Sequence, residues 1–506
     1  MRLLDNILLQ ARMRPDARAI VTADGHLGYG DLVSRAGSLA AGMASPAEPS
    51  RPVCIAIRKS PEAVIAMLAT LLAGRAYLPL DSGLPEARRR AMIADSGADL
   101  MLVTEADAAA GASAAGTTCA VRTVPADPAG GTNPPAPVPV AASSDAALLY
   151  TSGSTNIPKG VRISRAAIDT FVDWATGYFG FGPEDRAASH APFGFDISFL
   201  DLWAPLAAGG EVHLVPEGQM ANGRFLLHFL AERGVTFWQS VPTPLVAIGT
   251  ELGAGPLPAP LALRHLCSTG EALPEAARTR LAALGEGVTL HNVYGCTETN
   301  DTFVFSLPIR EAGGEGQLPI GLGLAYVDYL IVDAHDMPVP QGEQGELLTA
   351  SAAGFTGYTD PDLTRAAHVE CDGQRYFRTR DLVAEDAYGF VHFIGRSDHT
   401  VKLRGVRVDL REIETVIGEM AGVQEALAMI QPCARKGMQL VVVISGPEAP
   451  QLSVIGLKAH CARHLARQVI PDRFITQIAP LPRNLNGKID RRAVSASLKE
   501  LLKQDA

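Results

Sequence analysis

Continuous apolar runs of strand length alternate with helically spaced ones from early in this chain, and that alternation fixes its fold class. Val53-Cys54-Ile55-Ala56-Ile57 reads as a buried strand, Glu62 to Leu72 as a helix, and Leu100-Met101-Leu102-Val103 as a strand after a further helix. Strands covered on both faces lose polar alternation, and helical crossovers make neighbouring strands parallel. The expected fold is therefore α/β, on a parallel or mixed sheet. A chain of 506 residues is too long for one core. A boundary is expected at Gly395-Arg396-Ser397-Asp398, after a closing strand at Phe390 to Ile394. Beyond it Val401 to Val408 alternates, Leu410 to Met420 and Leu457 to Gln468 have helical spacing, and Leu440 to Ile444 reads as a strand. The expectation is a large N-terminal domain of mixed α/β layers, residues 1–397, and a small α+β C-terminal domain, residues 398–506. The stretch from Ala108 to Ser144, rich in Ala, Gly, Thr and Pro, reads as loop and linker within the first domain.

Function begins to show in Tyr150-Thr151-Ser152-Gly153-Ser154-Thr155-Asn156-Ile157-Pro158-Lys159-Gly160, which follows the apolar strand Ala146 to Leu149. Its backbone N–H groups, hydroxyls and lysine can hold a polyphosphate. It is not a Walker loop, which requires G-x-x-x-x-G-K-[ST]. A net charge of −10 leaves no basic surplus for nucleic acid, although one nucleotide needs only a local site. Seven cysteines, scattered and never in a C-x-x-C pair, fit reduced thiols better than disulfides or zinc. The N-terminus lacks a signal-peptide core, and no apolar run reaches bilayer length, so the expected location is cytoplasmic, without membrane or nucleic-acid partners.

The loop resembles the phosphate-binding signature of the adenylate-forming superfamily, which includes acyl-CoA synthetases, luciferase and peptide-synthetase adenylation domains. Asn156 stands where that family usually has glycine, and Asn tolerates left-handed backbone better than other side chains. Further motifs follow in order. Leu72-Ala73-Gly74-Arg75-Ala76-Tyr77-Leu78-Pro79-Leu80-Asp81 looks like an early structural motif of peptide-synthetase adenylation domains. Asn292-Val293-Tyr294-Gly295-Cys296-Thr297-Glu298 is similar to the adenine and magnesium motif, with Cys296 replacing a commoner proline. The resemblance implies that Thr151, Ser152, Gly153, Ser154, Thr155 and Lys159 hold ATP phosphates. It implies that Asn292 and Tyr294 meet adenine, and that Glu298 and Thr155 serve Mg²⁺. Tyr376-Phe377-Arg378-Thr379-Arg380-Asp381 resembles the ribose motif, where Asp381 would accept from the ribose hydroxyls. Arg380 occupies a usual glycine position. In Gly395-Arg396-Ser397-Asp398, Arg396 would help hold the nucleotide, and Asp398 would be the hinge of a mobile C-terminal lid.

Asn486-Gly487-Lys488 looks like the catalytic lysine motif. A carboxylate attacking the α-phosphate brings two anions together, and a bridging cation stabilises that transition state. Gly194-Phe195-Asp196-Ile197-Ser198 resembles the opening of the acyl pocket in amino-acid-activating members. There Asp196 would pair with the substrate ammonium; the plainer alternative is that it caps the helix near Ser198. The rest of the implied pocket is Ile197, Leu200, Gln239, Cys267, Thr269, Val293, Asp301 and Thr302. Asp301 suggests a second polar or amino group on the substrate, or else a structural hydrogen bond. A polar α-amino acid, a β-amino acid or D-alanine all remain open.

Gly405, in Lys402-Leu403-Arg404-Gly405-Val406-Arg407-Val408, matches the pantetheine-tunnel motif. Only 18 residues follow Lys488, too few for a carrier domain. The expected reaction is ATP- and Mg²⁺-dependent formation of an aminoacyl-AMP, then transfer to the phosphopantetheine thiol of a separate carrier protein. The alternatives are an acyl- or aryl-CoA synthetase, for which Asp196 has no purpose, a luciferase-like oxidase, or a non-catalytic scaffold.

Overall fold

The structure, a computed structural model, describes residues 1–43, 51–81, 83–115, 119–125, 136–151, 158–253, 260–397, 400–404, 406–433, 437–483, 489, 491, 493–495 and 497–498. Two compact units divide the chain after Ser397, with Gly83–Arg88 grouped with the second.

The first unit is built on two mixed sheets. In one, the strands Thr289–Cys296, His265–Thr269, Phe237–Ser240, Arg186–Ser189, Glu211–Leu214 and Arg18–Val21 run parallel, and antiparallel strands finish both edges. The other has Asp145–Thr151, Tyr77–Pro79, Val53–Ile55, Leu100–Val103 and Ala120–Thr123 in parallel, with Lys159–Ser164 and Gly357–Tyr358 antiparallel at one edge. Between them lie the helices Tyr29–Ala41, Pro61–Leu72 and Arg165–Phe179, whose apolar faces share one core with Val53 and Leu149 of one sheet and Phe237 and Cys267 of the other. The residues adjacent to Phe237 and Cys267 on these strands, Trp238 and Leu266, point the opposite way, into a second core under Gly223–Glu232, Pro242–Leu252 and Glu275–Leu281. Period-two alternation thus gives one sheet two buried faces.

Local chemistry sets the helix ends. Ser60 accepts from the Ala63 amide at the start of Pro61–Leu72, where proline fills the first turn. Ser164 does the same for Arg165–Phe179, which stops at Gly180 in a left-handed conformation. A third, all-antiparallel sheet follows: Val327–Val332, Gly345–Ser351, Gln374–Glu385 and His368–Cys371, with Val391–Arg396 beside Gln374–Glu385.

In the second unit, Thr400–Leu403 and Val406–Asp409 form a hairpin. Helices Leu410–Gly418 and Val454–His464 pack on the sheet of Glu425–Cys433, Gly437–Ser445 and Arg473–Gln477. The stretch from Ala108 to Ser144 is not all linker: it contains a helix, Ala108–Ala115, and an edge strand, Ala120–Thr123. Among the described residues no helix is long and apolar enough to cross a membrane.

Candidate functional site

Strand register brings the expected ribose residues together. Asp381 and Arg396 are direct partners on adjacent antiparallel strands, and the Arg396 guanidinium donates to one Asp381 carboxylate oxygen. The Tyr294 hydroxyl, from the first sheet, donates to the other. A buried carboxylate needs such a counter-charge. Burial, and then the Asp381 charge, push the Tyr294 phenol well above its usual pKa. Arg380 adopts φ +64°, a left-handed conformation, with its carbonyl accepting from Ser397 N at 2.9 Å. Asn292 donates its side-chain amide to the Pro319 carbonyl at 2.7 Å.

Beyond Tyr294 the strand turns sharply. A Cβ on Gly295 would stand 2.1 Å from the Asn300 carbonyl oxygen, so glycine is required at this point of the motif. The turn displays two adjacent side chains. Thr297 donates its hydroxyl to Asp196 at 3.1 Å. Glu298 is 1% exposed and accepts from the Tyr358 hydroxyl at 2.8 Å. The Lys159 ammonium lies 5.7 Å from the centre of the Tyr358 ring, within cation–π reach. Thr151 and Lys159 face each other across their hairpin, so both ends of the expected phosphate loop lie together. Ser152, Gly153, Ser154, Thr155 and Asn156 fall outside the described residues, as do Asp398, Gly405 and Lys488.

Four expected pocket residues share one sheet face by register. Gln239 pairs with Cys267, and Thr269 with Val293, on parallel strands; same-register and alternate residues point the same way. Gln239 is fully buried, and neither its oxygen nor its nitrogen meets a hydrogen-bond partner among the described residues. Burial raises the Cys267 thiol pKa, helped by the nearby Asp301 charge. Leu200 is buried and Ile197 half-buried. Asp301 is 7% exposed; its backbone carbonyl accepts from the Tyr326 hydroxyl at 2.8 Å. Thr302 donates to the Tyr294 carbonyl at 3.2 Å. The segment Phe199–Trp203 is a short π-helix with no side-chain cap, while the Asp196 carboxylate meets Thr297.

A cleft of about 410 Å³ beside Glu298 is lined by Tyr326, Ser351, Phe355, His368 and Arg375 among others, and shares with the expected site residues only Glu298. Sequence reasoning missed Tyr358. Tyr358 follows a glycine in an unremarkable run, and only its fold position puts it on Glu298.

The family model described as AMP-binding enzyme matches residues 8–359. An L-proline–[L-prolyl-carrier protein] ligase of Streptomyces coelicolor is 32% identical, covering 94% of this chain and 93% of that protein. One of the same name from Pseudomonas fluorescens is 33% identical over 86% of this chain and 87% of its own length. The Vibrio cholerae adenylation domain AlmE, solved with glycyl-adenosine-5'-phosphate, superposes with a TM-score of 0.84 at 22% identity, covering 98% of each chain, and so shares the fold. Ordered motifs, fold and sequence similarity converge: this chain belongs to the AMP-binding enzyme family.

Proposed function

We propose that the protein activates an amino acid as its aminoacyl adenylate and transfers it to the phosphopantetheine thiol of a separate carrier protein. The observation that carries this reading is the turn at Thr297 and Glu298. One residue touches the Asp196 carboxylate, and the next is the acid assigned to the magnesium and phosphate side. Two substrates, an ammonium-bearing acid and ATP, would therefore meet at one turn. The full-length ligase relatives support the carrier-protein half of the proposal.

Asp381, with Tyr294 and Arg396 fixing its rotamer, would accept from the ribose diol. The buried oxygens of Glu298 suit a hard cation; when bound, Mg²⁺ would offset charge on the phosphates. Asp196 would hold the ammonium, aiming the substrate carboxylate at the α-phosphorus. A carboxylate oxygen forms the new P–O bond, and the bond to the pyrophosphate oxygen breaks. Lys488 is assigned the bridging cation for that step. In the second half-reaction the thiol sulfur attacks the acyl carbon and AMP leaves, with Gly405 assigned to the pantetheine path and Asp398 to the hinge between residues 1–397 and the C-terminal lid.

The buried Gln239 amide favours a substrate whose side chain brings a hydrogen-bonding group, because an unmet buried amide costs about 1–3 kcal/mol. The proposal is therefore a polar amino acid rather than proline, whose side chain is wholly apolar. Amino-acid-dependent exchange of labelled pyrophosphate into ATP, across α-, β- and D-amino acids and aryl and fatty acids, tests both statements. Signal only with fatty or aryl acids would overturn the amino-acid reading.

A further inference from the structure

Asp196 sits in turn-rich backbone outside any strand or long helix, between the strand ending at Ser189 and the π-helix Phe199–Trp203, with its own carbonyl accepting from Phe199 N at 2.8 Å. Something must hold that backbone if one carboxylate is to meet an ammonium with fixed geometry. Local turns hold Asp196 itself, and two residues outside the expected site anchor the entry to the segment, Ser189 to Ala191. Asp201, five residues past Asp196, turns its fully buried carboxylate back on the incoming chain. It accepts from His190 N at 2.9 Å, Ala191 N at 3.3 Å and the Ser189 hydroxyl at 3.2 Å. The segment is thereby closed on itself, entry to exit. Lys59, between the strand Val53–Ile55 and the helix Pro61–Leu72, takes the carbonyl side. Its ammonium donates to Ser189 O at 2.6 Å and Ala191 O at 2.8 Å and lies 5.3 Å from the Phe193 ring centre. A third tie joins the acyl-pocket strand: Trp238, next to Gln239, donates its indole N–H to His190 Nδ1 at 3.1 Å.

We propose that Lys59 and Asp201 are positioning residues for amino-acid recognition, acting as one unit that fixes the Asp196 segment from both its N–H and its C=O sides. The inference rests on the reading of Asp196 as the ammonium's partner. Burial draws the Asp201 pKa upward and the Lys59 pKa downward, each opposed by the other's charge, as for two groups held out of water together. Asp201 takes the amides of His190 and Ala191 while Lys59 takes the carbonyls of Ser189 and Ala191, a division of donors and acceptors within one three-residue stretch that packing alone does not require.

The test is a double-mutant cycle of Lys59→Met and Asp201→Asn, with Lys59→Arg as the conservative variant, read by pyrophosphate exchange and thermal unfolding. Each single variant is expected to raise KM for the amino acid about 10- to 100-fold, the scale of losing charged hydrogen bonds, with KM for ATP within about twofold. Lys59→Arg should recover part of the loss, and the double variant should be no worse than the worse single one. An ATP KM rising in step, additive losses, or an unchanged amino-acid KM in folded Lys59→Arg and Asp201→Asn would overturn the assignment. Wild-type enzyme that exchanges with aryl or fatty acids but with no amino acid would instead overturn the underlying reading, and this role with it.

Discussion

The hydroxyl of Tyr358 donates to the buried carboxylate of Glu298 at 2.8 Å, across 60 positions of sequence. Such a partner orients an acid that ligates a metal, and removing one typically costs 10- to 100-fold in metal affinity. Tyr358→Phe should raise the Mg²⁺ concentration for half-maximal pyrophosphate exchange by about that factor. A magnesium titration at saturating ATP and amino acid checks it; an unchanged curve would remove Tyr358 from the metal side.

Asp381→Asn keeps the shape of the proposed ribose acceptor but removes the charge that Arg396 neutralises. The loss of charged hydrogen bonds, about 1.5–3 kcal/mol, predicts an ATP KM raised roughly 10- to 100-fold. The amino-acid KM should move little, since Asp196 lies on a separate segment. Steady-state kinetics with each substrate varied separates the two.

Lys488→Ala should depress adenylation about 10²–10³-fold, the scale for one transition-state donor. Transfer from preformed aminoacyl adenylate to the carrier thiol should be largely spared. Single-turnover assays of each half-reaction decide it, and equal loss of both would defeat the assignment.

Arg380 holds φ +64° with a side chain that glycine lacks. Left-handed backbone costs a non-glycine residue about 1–2 kcal/mol, partly offset by the entropy glycine loses on folding. Arg380→Gly should therefore stabilise the protein by about 0.5–1 kcal/mol in urea unfolding.

Burial pushes His190 and His291 down to about 3. Between that value and the ordinary 6.5, the unfolded chain binds protons that the folded histidines refuse. Their contribution to stability is complete above pH 6.5 and falls as pH drops, by about 1.4 kcal/mol per pH unit for each once well below 6.5. Asp201, raised to about 6 by burial, works the other way below pH 6. The decisive comparison is therefore His291→Gln against wild type, by urea unfolding from pH 7 to 5: the variant should show the shallower loss.

The layered α/β fold was legible because Val53–Ile55, Pro61–Leu72 and Leu100–Val103 carry strong apolar patterns. Ala108–Ala115 and Ala120–Thr123 were not: the helix is nearly all alanine, and all four strand residues are exposed, so neither has a periodic signal. In the candidate site, residues in contiguous motifs could be read directly. Lys59 and Asp201 stand in no common motif, and only the fold brings their charges onto the one stretch Ser189 to Ala191. Arg380 showed as a departure from glycine; the structure adds that the backbone kept the glycine-like conformation.

The face shared by Gln239, Cys267, Thr269 and Val293 has an evolutionary consequence. Each side chain hangs from a ladder whose bonds involve only backbone atoms, so exchanging one leaves the ladder intact. If this face lines the acyl pocket as proposed, descendants of such a scaffold can explore new acids one replacement at a time, while the turns proposed to hold ATP stay untouched. On that proposal substrate choice is separated from foldability, and diversification needs no redesign of the sheet.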